Sequence, residues 1–157
     1  MFRTLIIGAM SAAAITLSTT ALAEQGQFGT GQEARAMLDK AVAAVKADQL
    51  VALAMFLKGE GGFKDRDLYP FCFRTGDGKL IVSPPIVPAG TDIRSLKGPT
   101  GDAYGQEIYA AAQKPEGQVT EVNYMFPRPG GDPKPVSKVS FVTRIGELGC
   151  GVGYYKP

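Results

Sequence analysis

Across residues 32–58, apolar positions 34, 37, 38, 41, 42 and 45, then 50, 53, 54 and 57, recur at the three- and four-residue spacing of an amphipathic helix. Alanine fills many intervening positions, and its high helix propensity supports the same assignment. Asp48-Gln49 interrupts the series, so a kinked helix and a continuous one both satisfy the pattern. The Gly59 to Gly62 segment then stops it. From Leu68 to Arg74 the period changes to two, with Tyr69, Phe71 and Phe73 on one face and Leu68, Cys72 and Arg74 on the other. Gly76-Asp77-Gly78 turns the chain into a second strand, Lys79 to Ser83, which Pro84-Pro85 and Pro88 end. After a long connection to Gly101, Asp102 is placed to cap a short helix from Ala103 to Gln113, closed by Pro115-Glu116-Gly117. Three strands follow, Gln118 to Phe126, Ser137 to Ile145 and Glu147 to Tyr155. The stretch from Pro127 to Pro135 forms a rigid hairpin tip, and Ile145-Gly146-Glu147 a tight turn. Helix, two strands, helix, three strands is the order of an α+β domain with helices packed on an antiparallel-type sheet.

The first residues belong to a different kind of segment. Arg3, an apolar run from Leu5 to Leu17 and Ala21-Leu22-Ala23 before Glu24 have the form of a secretory signal peptide. The run is 13 residues long, against the roughly 20 that a membrane-spanning helix needs. The expected organisation is therefore a signal peptide at 1–23, a flexible Gln/Gly-rich stretch at 24–31 and one domain at 32–157. Removing 23 of the 157 residues leaves 134, enough for a core of its own. The mature chain is expected to be periplasmic or secreted, with no membrane insertion after cleavage. Basic residues are scattered at a formal charge of +2, which gives no footing for nucleic acid.

The chain has no histidine. That removes the commonest general base, the histidine-dependent nucleophile systems and most transition-metal sites, so neither catalytic residues nor a metal or cofactor is expected. Cys72 and Cys150 form an even pair in an exported chain, for which a disulfide is the default and two buried thiols the alternative.

Candidate binding residues follow from the strand faces. Gly149, Gly151 and Gly153 share one face of the last strand, which means that something lies close above it, either packed side chains or a ligand. Tyr124, Phe126 and Arg128 share a face of the third strand. Rings that bury an organic body, ending in a guanidinium that holds a carboxylate at two points, suit a small organic anion. Arg144 is a candidate second cation, or a surface partner of Glu147. In Lys64-Asp65-Arg66-Asp67 the plain reading is a solvated, ion-paired turn. The functional readings are Arg66 reaching a ligand, or Asp65 and Asp67 at a calcium ion whose third oxygen ligand is missing from the pattern.

Three segments, the one from Gly59 to Phe73, Tyr124-Met-Phe-Pro-Arg-Pro-Gly, and Cys150-Gly-Val-Gly-Tyr-Tyr-Lys, together resemble the exported single Cache domains of bacteria. These are PAS-like extracytoplasmic modules that bind small metabolites and are wired to chemoreceptors or kinases. The resemblance runs from Glu33 to Lys156. It implies a PAS/Cache-like, five-stranded, mainly antiparallel sheet with a long N-terminal helix and a second short helix. It sets the last strand beside the first, so that Tyr69, Phe71 and Phe73 lie next to the three glycines if Cys72 and Cys150 share the other face. It also makes Arg94, in the segment after the second strand, a ligand contact. Ser83-Pro84-Pro85 departs from the His-Pro-Asn type of sequence common in relatives, so the ligand is not carried over with the fold. The resulting expectation is a non-catalytic binding and sensing domain for a small carboxylate, held by Tyr69, Phe71, Phe73, Arg94, Tyr124, Phe126, Arg128 and Arg144, and reporting to a separate membrane receptor or kinase. The alternative is a ligand-free scaffold that docks a partner through its Pro-rich tip.

Overall fold

A computed structural model describes residues 26–157; the signal-peptide segment lies outside them. The elements are α1 (Gly31–Ala47), α2 (Gln49–Lys58), β1 (Pro70–Arg74), β2 (Leu80–Val82), a 3-10 turn (Ile93–Ser95), α3 (Tyr104–Ala111), β3 (Thr120–Pro127), β4 (Pro135–Ile145) and β5 (Leu148–Tyr155). The five strands make one sheet in the order β2-β1-β5-β4-β3, every neighbouring pair antiparallel. This is the expected α+β, PAS/Cache-like arrangement.

The first helix begins at a capping box, in which the Thr30 hydroxyl accepts from the Glu33 amide and the Glu33 carboxylate from the Thr30 amide. The interruption at Asp48 is a full break. Its backbone is extended, its amide bonds back to Ala44, and its carboxylate accepts from Val51 at 3.1 Å. One residue thus ends α1 and caps α2. Gly59, in the left-handed conformation, closes α2. The short helix differs from expectation: Asp102 does not cap α3, and its carboxylate instead accepts from the Thr100 hydroxyl.

The sheet has two unlike faces. Leu38, Ala41, Leu53 and Phe56 of α1 and α2 pack against Cys72, Phe141, Cys150 and Val152. On the reverse, α3 and the 3-10 turn cover Phe71, Phe73, Val122, Tyr124, Phe126 and Val142. The long N-terminal helices therefore leave the aromatic face to the connection between β2 and β3. Cys72 and Cys150 stand directly opposite in the β1–β5 register and are bridged, 78 residues apart in sequence.

The glycine row of β5 lies in register with β1, Gly149 opposite Phe73 and Gly151 opposite Phe71. A Cβ on Gly149 would collide with the Phe73 ring and with Cβ of Ala112, and one on Gly151 would stand 2.5 Å from the Phe71 ring. The outer ends of the two rings fill the space above the bare backbone of Gly149 and Gly151.

Gly149→Ala is expected to lower stability by about 1–3 kcal/mol through overpacking, whereas Gly76→Ala, with nothing within 4 Å of the new methyl, should stay within about 0.5 kcal/mol. Urea unfolding of the two variants checks this, and equal midpoints would refute the packing role of the glycine row. Replacing both cysteines by alanine should cost about 2–5 kcal/mol, because the bridge closes a long loop in the unfolded chain. The same unfolding curves measure it.

Candidate functional site

Beyond Gly153 the aromatic face changes character. Strand register sets Tyr124, Lys138 and Tyr155 side by side on β3, β4 and β5. Lys138 points inward and is only 2% exposed. Its stem passes over Gly153, where Cε lies 2.5 Å from the position a Cβ would take; only glycine leaves room for it.

The ammonium sits in a cage of three rings, with Tyr69, Phe126 and Tyr155 centred 4.7, 4.9 and 4.8 Å from Nζ. Nζ donates to the Tyr69 hydroxyl at 2.9 Å and the Tyr155 hydroxyl at 3.4 Å, and Tyr155 in turn donates to the Pro127 carbonyl at 2.7 Å. Tyr124 shares a 2.8 Å hydrogen bond with Ser140 and stacks on Tyr104, ring centres 4.4 Å apart. No carboxylate pairs with Lys138 among the described residues. Rings and phenols only partly replace the water lost on burial, so the amine is pushed down to about 7 from its ordinary 10.5. Burial pushes Tyr155 up to about 12, and raises Tyr69 and Tyr124 as well.

Two charged residues complete the corner. Asp67 is 7% exposed, and its Oδ1 accepts from the Gly29 amide at 2.7 Å. Its Oδ2 has no hydrogen-bond partner. The guanidinium of Arg128 lies 4.0 Å over the Phe28 ring and 5.2 Å from that of Tyr155, with Nε buried and unpartnered. A groove of about 440 Å³ is lined by Tyr69, Pro85, Pro129 and Gly130 together with Lys58, Lys64 and Arg66. The chemistry on offer is electrostatic: a partly charged amine with no direct salt bridge, a second cation beside it, a half-satisfied carboxylate and several phenols.

Of the residues singled out in the sequence, Tyr69, Tyr124, Phe126 and Arg128 come together around Lys138. Phe71 and Phe73 belong to the packed half of the same face. Arg94 does not reach the cage: its guanidinium is held by Asp92 at 2.7 and 2.9 Å and covers the Tyr109 ring at the other end of the sheet. Arg144 is six residues from Lys138 on β4, about 20 Å at strand rise, and donates to the Gly146 carbonyl rather than pairing with Glu147. Arg66 is satisfied by Glu33 and Asp65. Lys138 itself was missed. Its signal was present in the alternation Val136, Lys138, Ser140, Val142, which puts a lysine on an inward face, but which face is inward became visible only with the helices in place.

The buried amine makes stability depend on pH. Between about 7 and 10.4 the unfolded chain holds a proton that the folded chain releases, so stability should rise with pH through that window. The tyrosines act oppositely above their ordinary pKa of about 10, which leaves roughly pH 7 to 9.5 as the clean range. Urea midpoints across it should climb for the natural protein and stay flat for Lys138→Met; a flat profile in both would show that Lys138 keeps its proton.

Comparisons with known proteins agree with this architecture. A family model described as Cache domain matches residues 36–155. Among solved structures, the periplasmic sensor domain of a chemotaxis protein superposes with a TM-score of 0.59 at 22% identity, covering 80% of this chain and 90% of its own. A methyl-accepting chemotaxis protein from Vibrio parahaemolyticus RIMD 2210633 gives 0.61 at 20% identity over 79% and 86%. A Cache chemosensory domain, described for the structural basis of its carboxylic acid recognition, gives 0.56 at 25% identity over 80% and 88%. No curated protein matches. With two dissimilar sheet faces, a central last strand and a family match over most of its length, this chain belongs to the Cache domain family.

Proposed function

We propose that this protein is an extracytoplasmic sensor domain that binds a small organic carboxylate at Lys138 and passes its occupancy to a separate membrane receptor or kinase, without catalysing a reaction. The observation that carries the reading is a buried amine that, among the described residues, has no carboxylate within salt-bridge distance. An unpaired buried charge is costly, and a carboxylate brought to it removes that cost while the rings enclose the carbon body. The relative that recognises carboxylic acids supports the ligand class, and the periplasmic relative supports the location. The groove beside Tyr69 is the path of access, since Tyr69 both lines it and accepts from Nζ. Displacing the two phenol hydroxyls from Nζ would free the first coordination positions for the carboxylate.

Ring packing over Gly149 and Gly151 favours a second reading, in which the face is structural and the Pro-rich tip docks a partner. Ligand binding separates the two. In a thermal-shift series of short-chain carboxylates, a ligand at 100 times its Kd should add about 2.7 kcal/mol, several degrees for a domain of this size. Lys138→Met should abolish the shift. A well-folded protein silent to the whole series supports the docking reading.

Binding should also take up protons. A carboxylate favours the ammonium, so the complex holds more protons than the free protein above pH 7, and affinity falls as pH rises, by up to about tenfold per unit. The phenols facing the amine, Tyr69, Tyr124 and Tyr155, do not reverse that sign, because burial raises all three and none of them ionises below about pH 9.5. Calorimetry at pH 8 in phosphate and in Tris measures the uptake, and equal enthalpies in the two buffers would count against Lys138 as the binding group.

A further inference from the structure

Buried polar atoms in folded proteins almost always have a partner, and an exception calls for an explanation. Among the described residues, two buried side-chain atoms lack one, Asp67 Oδ2 and Arg128 Nε. Arg128 flanks the cage at Tyr155 and covers Phe28, and Asp67 is bonded to Gly29, the residue after Phe28, which joins both to the same corner. Asp67 is two residues before Tyr69, and its charge acts on Lys138, Tyr69 and Tyr155 together. Arg128 follows Pro127, whose carbonyl takes the Tyr155 hydroxyl, and its guanidinium flanks the Tyr155 ring. A plain alkyl carboxylate would satisfy the cations and leave Asp67 Oδ2 as it is. A ligand with a hydrogen-bond donor beside its carboxylate would satisfy both sides of the cage.

Resting on the carboxylate reading above, we infer that Asp67 is a specificity-determining residue that selects short 2-hydroxy carboxylates, its free Oδ2 accepting from the ligand hydroxyl while Lys138 holds the carboxylate. Charge balance favours a hydroxyl over an ammonium. Lys138 and Arg128 bring two positive charges and Asp67 one negative, so a monoanion neutralises the corner and a zwitterion does not. Size favours a short chain, because Lys138 is packed against Gly153 and enclosed by three rings. Asp67 is held for this task from behind, where the Gly29 amide occupies Oδ1 and orients the carboxylate.

The test is calorimetric titration of the purified protein with propionate, with each enantiomer of lactate and with L-alanine, three-carbon acids that differ only at the second carbon. One lactate enantiomer should bind at least about tenfold tighter than propionate, as a site built to bond a hydroxyl disfavours the analogue without it. In Asp67→Asn that preference should shrink to less than about threefold, read as the lactate-to-propionate ratio within the variant so that any general change in affinity cancels; the natural protein's own ratio decides the matter if this variant does not fold. Lactate no tighter than propionate, with propionate binding still lost in Lys138→Met, overturns the role of Asp67 and leaves the carboxylate site standing. L-alanine binding tighter than either lactate overturns the hydroxy-acid class in favour of an amino acid. If no acid of the series binds the natural protein, the carboxylate reading and this inference fall together.

Discussion

The central strand β5 carries no side chain on one face from Gly149 to Gly153, and the rest of the aromatic face depends on that bare stretch. It lets Phe73 and Phe71 lie against backbone, so that β1 and β5 approach with their large residues on one side and the disulfide on the other. It also leaves space for the stem of a lysine that any larger residue at 153 would displace. Without the glycines, rings and side chains would have to stand off the sheet, and neither the packed half nor the caged amine would exist in this form.

The two halves of that face illustrate a division between stability and binding. Around Gly149 and Gly151 the contacts are apolar and complete, and burying a phenylalanine there contributes about 1.5–3 kcal/mol. Around Gly153 they are polar and incomplete: an ammonium among phenols, a carboxylate oxygen and a guanidinium nitrogen without partners. A fold optimised for stability alone would fill this corner with aliphatic side chains, since a buried charge replaced by well-packed apolar groups is often neutral or better. Unsatisfied polarity concentrated at one end of an otherwise apolar face is what a site for a charged small molecule requires. Arg128 and Phe28, stacked at the outer edge, and the Asp67 bond to Gly29 tie this corner to the segment that leads into α1. A change at the cage is therefore physically continuous with the start of the longest helix.

Much of this architecture was legible from local rules. Helical periodicity with Gly59 as its stop, period-two strands with glycine turns, and an even cysteine pair led to the observed elements, because each depends on neighbours a few residues away. The break at Asp48 could not be decided that way: the residue can continue a helix or cap the next one, and the choice was made by how α1 and α2 fold over the disulfide face. The same holds for Asp102, whose carboxylate found Thr100 instead of the helix start.

The candidate site shows where local reasoning ends. The sequence alone determined that Tyr69, Tyr124 and Phe126 are inward-type residues on strands, that Arg128 ends such a strand, and that β5 needs something close above its glycines, since alternation and the absence of a Cβ are properties of the chain itself. Only the tertiary structure decided which cation the rings enclose. Arg94 and Arg144 found partners at the far end of the sheet, while Lys138, an unremarked member of an alternating strand, was drawn inside by cross-strand register with Tyr124 and Tyr155 and by the gap over Gly153. Register and helix placement are long-range properties, set by which face the N-terminal helices bury, and they alone turn a lysine from a solvated surface residue into a caged, partly neutral amine.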